Sequence, residues 1–294
     1  MEDVLPLLAT PFLMCLVLTG IHAYLGLHVI AREVVFVDIA LAQIAALGGT
    51  AAFLAGADPG AWASYAAGLA ATLLGALVLA LTRTRRRHVS QEAIIGVVYA
   101  VSAAAVVLLV SRAPHGAEHL RAMLVGSILT VTGRDVALVG ALYAAVGVVH
   151  ALCRRPFLLI SADPERAWRD GWRVRWWDFL FYATFGVVVT SSVRVAGVLL
   201  VFSYLIVPAL AATAFGGGVA RRLVVGWTFG AAVSVLGIAA SAALDLPTGA
   251  TVVCVFGIAL PCAWLAAWPR SRRGPRLHPN PKINQAAIAC SIRS

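Results

Sequence analysis

Residues 7–31 read LLATPFLMCLVLTGIHAYLGLHVIA, with Arg32-Glu33 directly after. No Asp, Glu, Lys or Arg interrupts this run. About 25 residues at about 1.5 Å each make a helix of about 37 Å, enough to cross a hydrocarbon core of about 30 Å. A segment this apolar is stable only in lipid or deep in a core. The start, Met1-Glu2-Asp3, is acidic, unlike the basic region that opens a signal peptide, so the run is read as a span.

The rest of the chain has the same character. Of 294 residues, 61% are hydrophobic and 12% charged, and mean hydropathy is +0.90. Soluble domains carry about twice that charge. Further apolar runs fall at 35–57, 61–82, 92–111, 136–153, 177–190, 195–215, 223–244 and 248–268. The expectation is an all-α polytopic integral membrane protein of eight or nine transmembrane helices, with a transmembrane domain over 1–268. A basic, disordered cytoplasmic tail is expected over 269–294. The 177–190 run is the weakest, short enough to be re-entrant. Gly133-Arg134-Asp135 should break the long stretch 122–153, leaving a half-inserted helix over 122–132.

The net charge of +10 is uneven. Arg32, the Arg83–Arg87 cluster, six Arg between 154 and 175, Arg221-Arg222 and the tail place 19 of the 23 basic residues in alternate loops. That asymmetry marks the cytoplasmic side and puts the C-terminus inside, in a bacterial plasma membrane. It needs no nucleic-acid partner; lipid is the expected surroundings. The cysteines Cys15, Cys153, Cys254, Cys262 and Cys290 form no CxxC pair, so no disulfide framework or Cys metal site is expected.

There is no GxxxxGK[ST] phosphate loop, and Lys282 is the single lysine. This chain therefore hydrolyses no ATP through such a loop. No HExxH or carboxylate cluster suggests a membrane enzyme. In the longest basic loop, Asp163 can cap a helix, Pro164 suits its first turn and Gly171 its end. The short helix 163–171 is either a solvated connector or a docking element for a cytoplasmic motor.

Several stretches then become recognisable in order. They are Arg32-Glu33-Val34-Val35-Phe36-Val37-Asp38 to Gly48, Glu92-Ala93-Ile94-Ile95-Gly96 and Leu124-Val125-Gly126-Ser127-Ile128-Leu129. After them come Asp163-Pro164-Glu165 with Ala167 and Gly171, Ser192-Val193-Arg194-Val195-Ala196-Gly197 with Pro208-Ala209, and Asp245-Leu246-Pro247-Thr248-Gly249. Over about 5–268 the chain resembles the ABC-3 permeases, the type II-like membrane subunits of ABC importers for zinc, manganese or iron. The resemblance implies a homodimer, two cytoplasmic ABC ATPase subunits and an extracytoplasmic solute-binding protein. It makes Asp163, Pro164, Glu165, Ala167 and Gly171 the ATPase-coupling helix. No permanently bound cofactor is implied; the divalent metal is cargo.

The chain departs from the family at one place. The Asp and His usual near the start of the second span are here Ile39 and Gln43, and Asp38 lies one residue early. The residues themselves offer a substitute set: His22 and His28 in the first span, Asp38 and Gln43 in the second. If those spans form an antiparallel hairpin about Arg32-Glu33, His28 falls level with Asp38 and His22 with Gln43. Imidazole with carboxylate suits Zn²⁺, Mn²⁺ or Fe²⁺, zinc being the first choice on imidazole alone. Ser90 should cap the fourth span, with Glu92 near its positive end. His115 and His119 with Glu118 belong to an outer loop, His88 to a basic loop, and His150 to the membrane interface. Pro208 should kink its helix and is a candidate gate. Two rival readings stay open: a permease for a metal chelate of siderophore or cobalamin type, and an ion-gradient-driven secondary transporter with His22 and Asp38 as a proton relay.

Overall fold

The computed structural model describes residues 4–58, 60–83, 90–111, 126 and 128–271. The outer loop with His115, Glu118 and His119, residues 122–125 and 127 of the proposed half-inserted helix, His88 and the tail beyond 271 lie outside the described residues. The described residues form α-helices and one 3-10 turn, with no strand.

The helices are α1 (Val4–Ala31), α2 (Val37–Leu54), α3 (Trp62–Leu81), α4 (Gln91–Val110) and α5 (Gly133–Leu152), the 3-10 turn Ile128–Thr130 preceding α5. They continue with α6 (Arg154–Ala162), α7 (Pro164–Arg169), α8 (Val174–Ala196), α9 (Val198–Ala214), α10 (Val219–Leu244) and α11 (Thr248–Ser271). Among the described residues eight helices are long and apolar enough to cross a membrane, and α9 is a shorter apolar one. Large apolar side chains such as Leu74, Val101, Leu108, Leu152 and Ile258 face outward. Water would not tolerate that surface, and lipid does. The chain is a multi-pass membrane protein.

Local sequence explains the boundaries. Ser90 Oγ accepts from Ala93 N at 3.2 Å and caps α4, as expected. α5 opens at Gly133 on a capping box, Thr132 accepting from Asp135 N while the Asp135 carboxylate accepts from Thr132 N. The weak run 177–190 is corrected: α8 is a full helix of 23 residues, and the short one is α9, of 17. Ser191 and Ser192 lower the hydropathy of α8 but turn their hydroxyls back to the Val188 carbonyl, so the helix continues. Gly197, at φ +76°, makes the corner into α9.

The expected α1–α2 hairpin is not there. α1 packs along α9 and α10, whereas α2 packs along α3 and α4. Small residues decide the partners. A Cβ on Gly26 would strike the Leu205 carbonyl of α9, and one on Gly48 would come within 2.6 Å of the Ala67 carbonyl of α3. Backbones that approach this closely pack on each other and not across the short link 32–36. The long helices thus fall into two groups, α1–α9–α10–α11 and α2–α3–α4–α8. α5 lies against both α1 and α8.

Candidate functional site

Several buried polar residues sit where the two groups meet. His22 is wholly buried on α1. Its Nδ1 lies 2.8 Å from the Leu18 carbonyl. A carbonyl can only accept, so Nδ1 carries the proton and Nε2 the lone pair. That Nε2 is 3.2 Å from Ser192 Oγ of α8, and Ser192 Oγ is 2.5 Å from Tyr143 OH of α5. Ser191 adds a further hydroxyl at 3.4 Å from Tyr143. One imidazole and three hydroxyls from three helices therefore meet at mid-bundle.

Asp38 is 1% exposed, and its Oδ1 has no hydrogen-bond partner among the described residues. It stands in the first turn of α2. A buried carboxyl without donors is costly and rare in a membrane helix. Gln43 does not join it. The two are five residues apart, about 140° around a helix, and Gln43 is only half-buried.

The matched-depth pairs expected from a hairpin do not form. His28 hydrogen-bonds Ser161 Oγ of α6 at 2.8 Å. Ser161 also accepts from Arg32 Nε at 2.8 Å. His28 thus lies beside a buried guanidinium, a poor place for a cation. His150, near the end of α5, is 2% exposed. Its Nε2 is 2.9 Å from Thr184 Oγ1 of α8, and its Nδ1 is 3.2 Å from Tyr24 OH of α1. Sequence reasoning missed Tyr143, Ser191 and Ser192, because hydroxyls in apolar runs look like ordinary packing. Among the described residues no three His, Cys, Asp or Glu side chains form a metal-binding group. Beside the cluster, a cleft of about 910 Å³ opens between α1, α5 and α10, with Tyr143, His150 and Trp227 in its wall. Its lining is almost wholly apolar, which suits acyl chains and not ions.

At the Arg-rich end, α7 follows its sequence signals. Asp163 Oδ1 accepts from Arg166 N at 2.9 Å, Pro164 opens the helix, and Gly171 follows it at φ +79°. Ala167 is fully buried against Ile160 of α6 and Val174 of α8, while Glu165, Arg166 and Arg169 face outward. Pro208 lies inside α9, buried against α10 where Gly226 and Gly230 leave room for it.

Apolar helices enclosing a polar cluster, with the short helices α6 and α7 between two of the long ones, make a helical membrane protein. A model of the ABC 3 transport family matches residues 5–266, and the chain belongs to that family. It is 26% identical over 198 residues to a probable metal transport system membrane protein of Chlamydia muridarum, matching 67% of this chain and 68% of that one. It is 28% identical over 183 residues to the manganese transport system membrane protein MntC of Listeria monocytogenes, covering 62% and 65%. The chain thus spans about two thirds of the length of these relatives. Its fold is similar to that of a chain in PsaBC from Streptococcus pneumoniae in complex with Fab, at a TM-score of 0.73 and 20% identity, covering 91% and 94%.

Proposed function

We propose that the chain is the permease of an ATP-driven ABC importer for a divalent metal ion. It would act as a homodimer in a bacterial plasma membrane, its Arg-rich end and C-terminus in the cytoplasm. A cytoplasmic ATPase and an extracytoplasmic solute-binding protein complete the assembly. The observation that carries this reading is α7, a capped helix rooted by Ala167 and presenting charged side chains outward at the Arg-rich end. It has the build of an element that a motor subunit grips. ATP binding and hydrolysis in the partner would shift α7, and the helix groups would move with it.

The metal path in this reading runs past His22 Nε2, with Tyr143, Ser191 and Ser192 as oxygen donors and Asp38 supplying negative charge. Gln43 lies on a more exposed face of α2, where it could meet the ion nearer a second copy. His28 is assigned to structure. An oxygen-rich set around one imidazole favours manganese or iron over zinc, and the Listeria relative's name agrees with manganese.

The test is a mild-detergent pull-down of the tagged protein from its native membranes, with mass spectrometry. A stoichiometric P-loop ATPase, lost with Glu165→Lys or Ala167→Asp in a permease that still folds, is the expected result. Its absence across several detergents would overturn the importer and leave the ion-gradient reading. Metal uptake by His22→Ala should fall at least tenfold; unchanged uptake would point to a chelated cargo instead.

A further inference from the structure

Arg32 ends α1, in the first helix group, yet its charge is satisfied by the second. Arg32 Nη1 donates to Asp178 Oδ1 of α8 at 2.6 Å, and neither side chain is exposed. Asp178 Oδ2 lies 3.5 Å from Arg83 Nε, just past the end of α3. Arg32 Nε holds Ser161 of α6, and its guanidinium stacks 3.9 Å above the Phe181 ring of α8. Ser161 stands two residues before α7's cap Asp163, and Asp178 four residues after the start of α8. Both helices that flank α7 therefore end on one arginine.

This costs more than simple fastening needs. Two guanidinium groups share one carboxylate, and Arg32 Nη2 has no hydrogen-bond partner among the described residues. Buried ion pairs are weak stabilisers compared with apolar packing of the same volume, and a register or switching role is their best-attested use. The link 32–36 also joins the group carrying His22 to the helix carrying Asp38. It is tight, with Glu33 in the left-handed region at φ +57°, so a displacement of Arg32 passes directly into α2.

We infer that Arg32 and Asp178 are positioning residues that transmit movement of α7 to the His22 and Asp38 helices, with Arg83 as the second cation of the joint. The inference rests on the reading of α7 as the ATPase-coupling helix. The pair joins the two groups at the end where α7 sits and ties both flanking helices to the link between the His22 and Asp38 helices.

The test uses the whole importer, purified from its membranes with its ATPase, reconstituted in vesicles with its binding protein and supplied with Mn²⁺. The readout is metal moved per ATP hydrolysed, which a purely structural role would not alter. The double variant Arg32→Met with Asp178→Leu removes both charges at similar volume. It should assemble with the ATPase and keep its basal hydrolysis, while metal moved per ATP falls at least tenfold. An assembled double variant with the wild-type ratio would overturn the joint while leaving the importer reading intact. If the double variant does not fold, Arg83→Gln, at the more distant and slightly more exposed cation of the joint, should lower the ratio about threefold, and a wild-type ratio there overturns the joint equally. A wild-type protein that recruits no ATPase overturns both readings.

Discussion

Two of the bridges between the helix groups are built from different chemistry. At mid-bundle the bridge is neutral: His22 to Ser192, and Tyr143 to Ser192. At the Arg-rich end it is ionic, Arg32 to Asp178 with Arg83 alongside. Each side has a retreat within its own helix: His22 Nδ1 donates to the Leu18 carbonyl, and the single Ser192 proton can serve either His22 Nε2 or the Val188 carbonyl. Such a bridge opens at little cost. The ionic bridge has no equivalent retreat, because either partner alone would be a bare buried charge. A membrane protein can thus place an adaptable contact where an ion passes and a stiff one where force enters. Asp38, in the first turn of α2, fits neither kind: one of its carboxyl oxygens is buried without a donor among the described residues.

The comparison can be broken at either bridge. Asp178→Ala strands Arg32 and should lower unfolding stability by about 3–5 kcal/mol, read as a large fall in detergent melting temperature. A loss under about 1 kcal/mol would show that water already reaches the ionic bridge. Asp38→Asn should act in opposite directions on two readouts. Stability should rise by about 1 kcal/mol, because a buried amide costs less than a buried carboxyl, while Mn²⁺ uptake falls about tenfold. A loss of stability would mean that Asp38 is held by donors and serves as structure. Thr132→Ala, at the exposed cap of α5, removes a capping box and should cost about 1 kcal/mol in the same melting assay. Ser192→Ala should cost least, about 0.6 kcal/mol, the usual worth of a hydrogen bond between membrane helices. A cost above about 2 kcal/mol would erase the distinction between the bridges.

Much of this was legible residue by residue. Ser90, Asp163, Pro164 and Gly171 sit where their side chains or backbone freedom require, because capping is decided within a few residues. The span count and the all-α class follow from long apolar runs, which in lipid must satisfy their backbone internally. The reading failed where distant residues chose partners. Residues 177–190 looked too short because hydropathy cannot register that Ser191 and Ser192 bond within their own helix. The α1–α2 hairpin looked natural because neighbours in sequence often pack, but Gly26 and Gly48 commit the two helices to α9 and α3. The partners of His150, Tyr24 and Thr184, come from other helices and are not visible in its own segment.

By itself, then, the sequence determined that the chain is a helical membrane protein with one Arg-rich end and a capped helix at that end. Its order of motifs carried the family. Those properties are local or additive: hydropathy sums along a run, and a cap needs only its own turn. Which helices touch, which histidine meets a hydroxyl and which meets a guanidinium, and that Asp38 and Gln43 part ways were decided by the tertiary structure alone. They depend on close backbone approach at a few glycines and on the facing side chains, and no single segment contains that information.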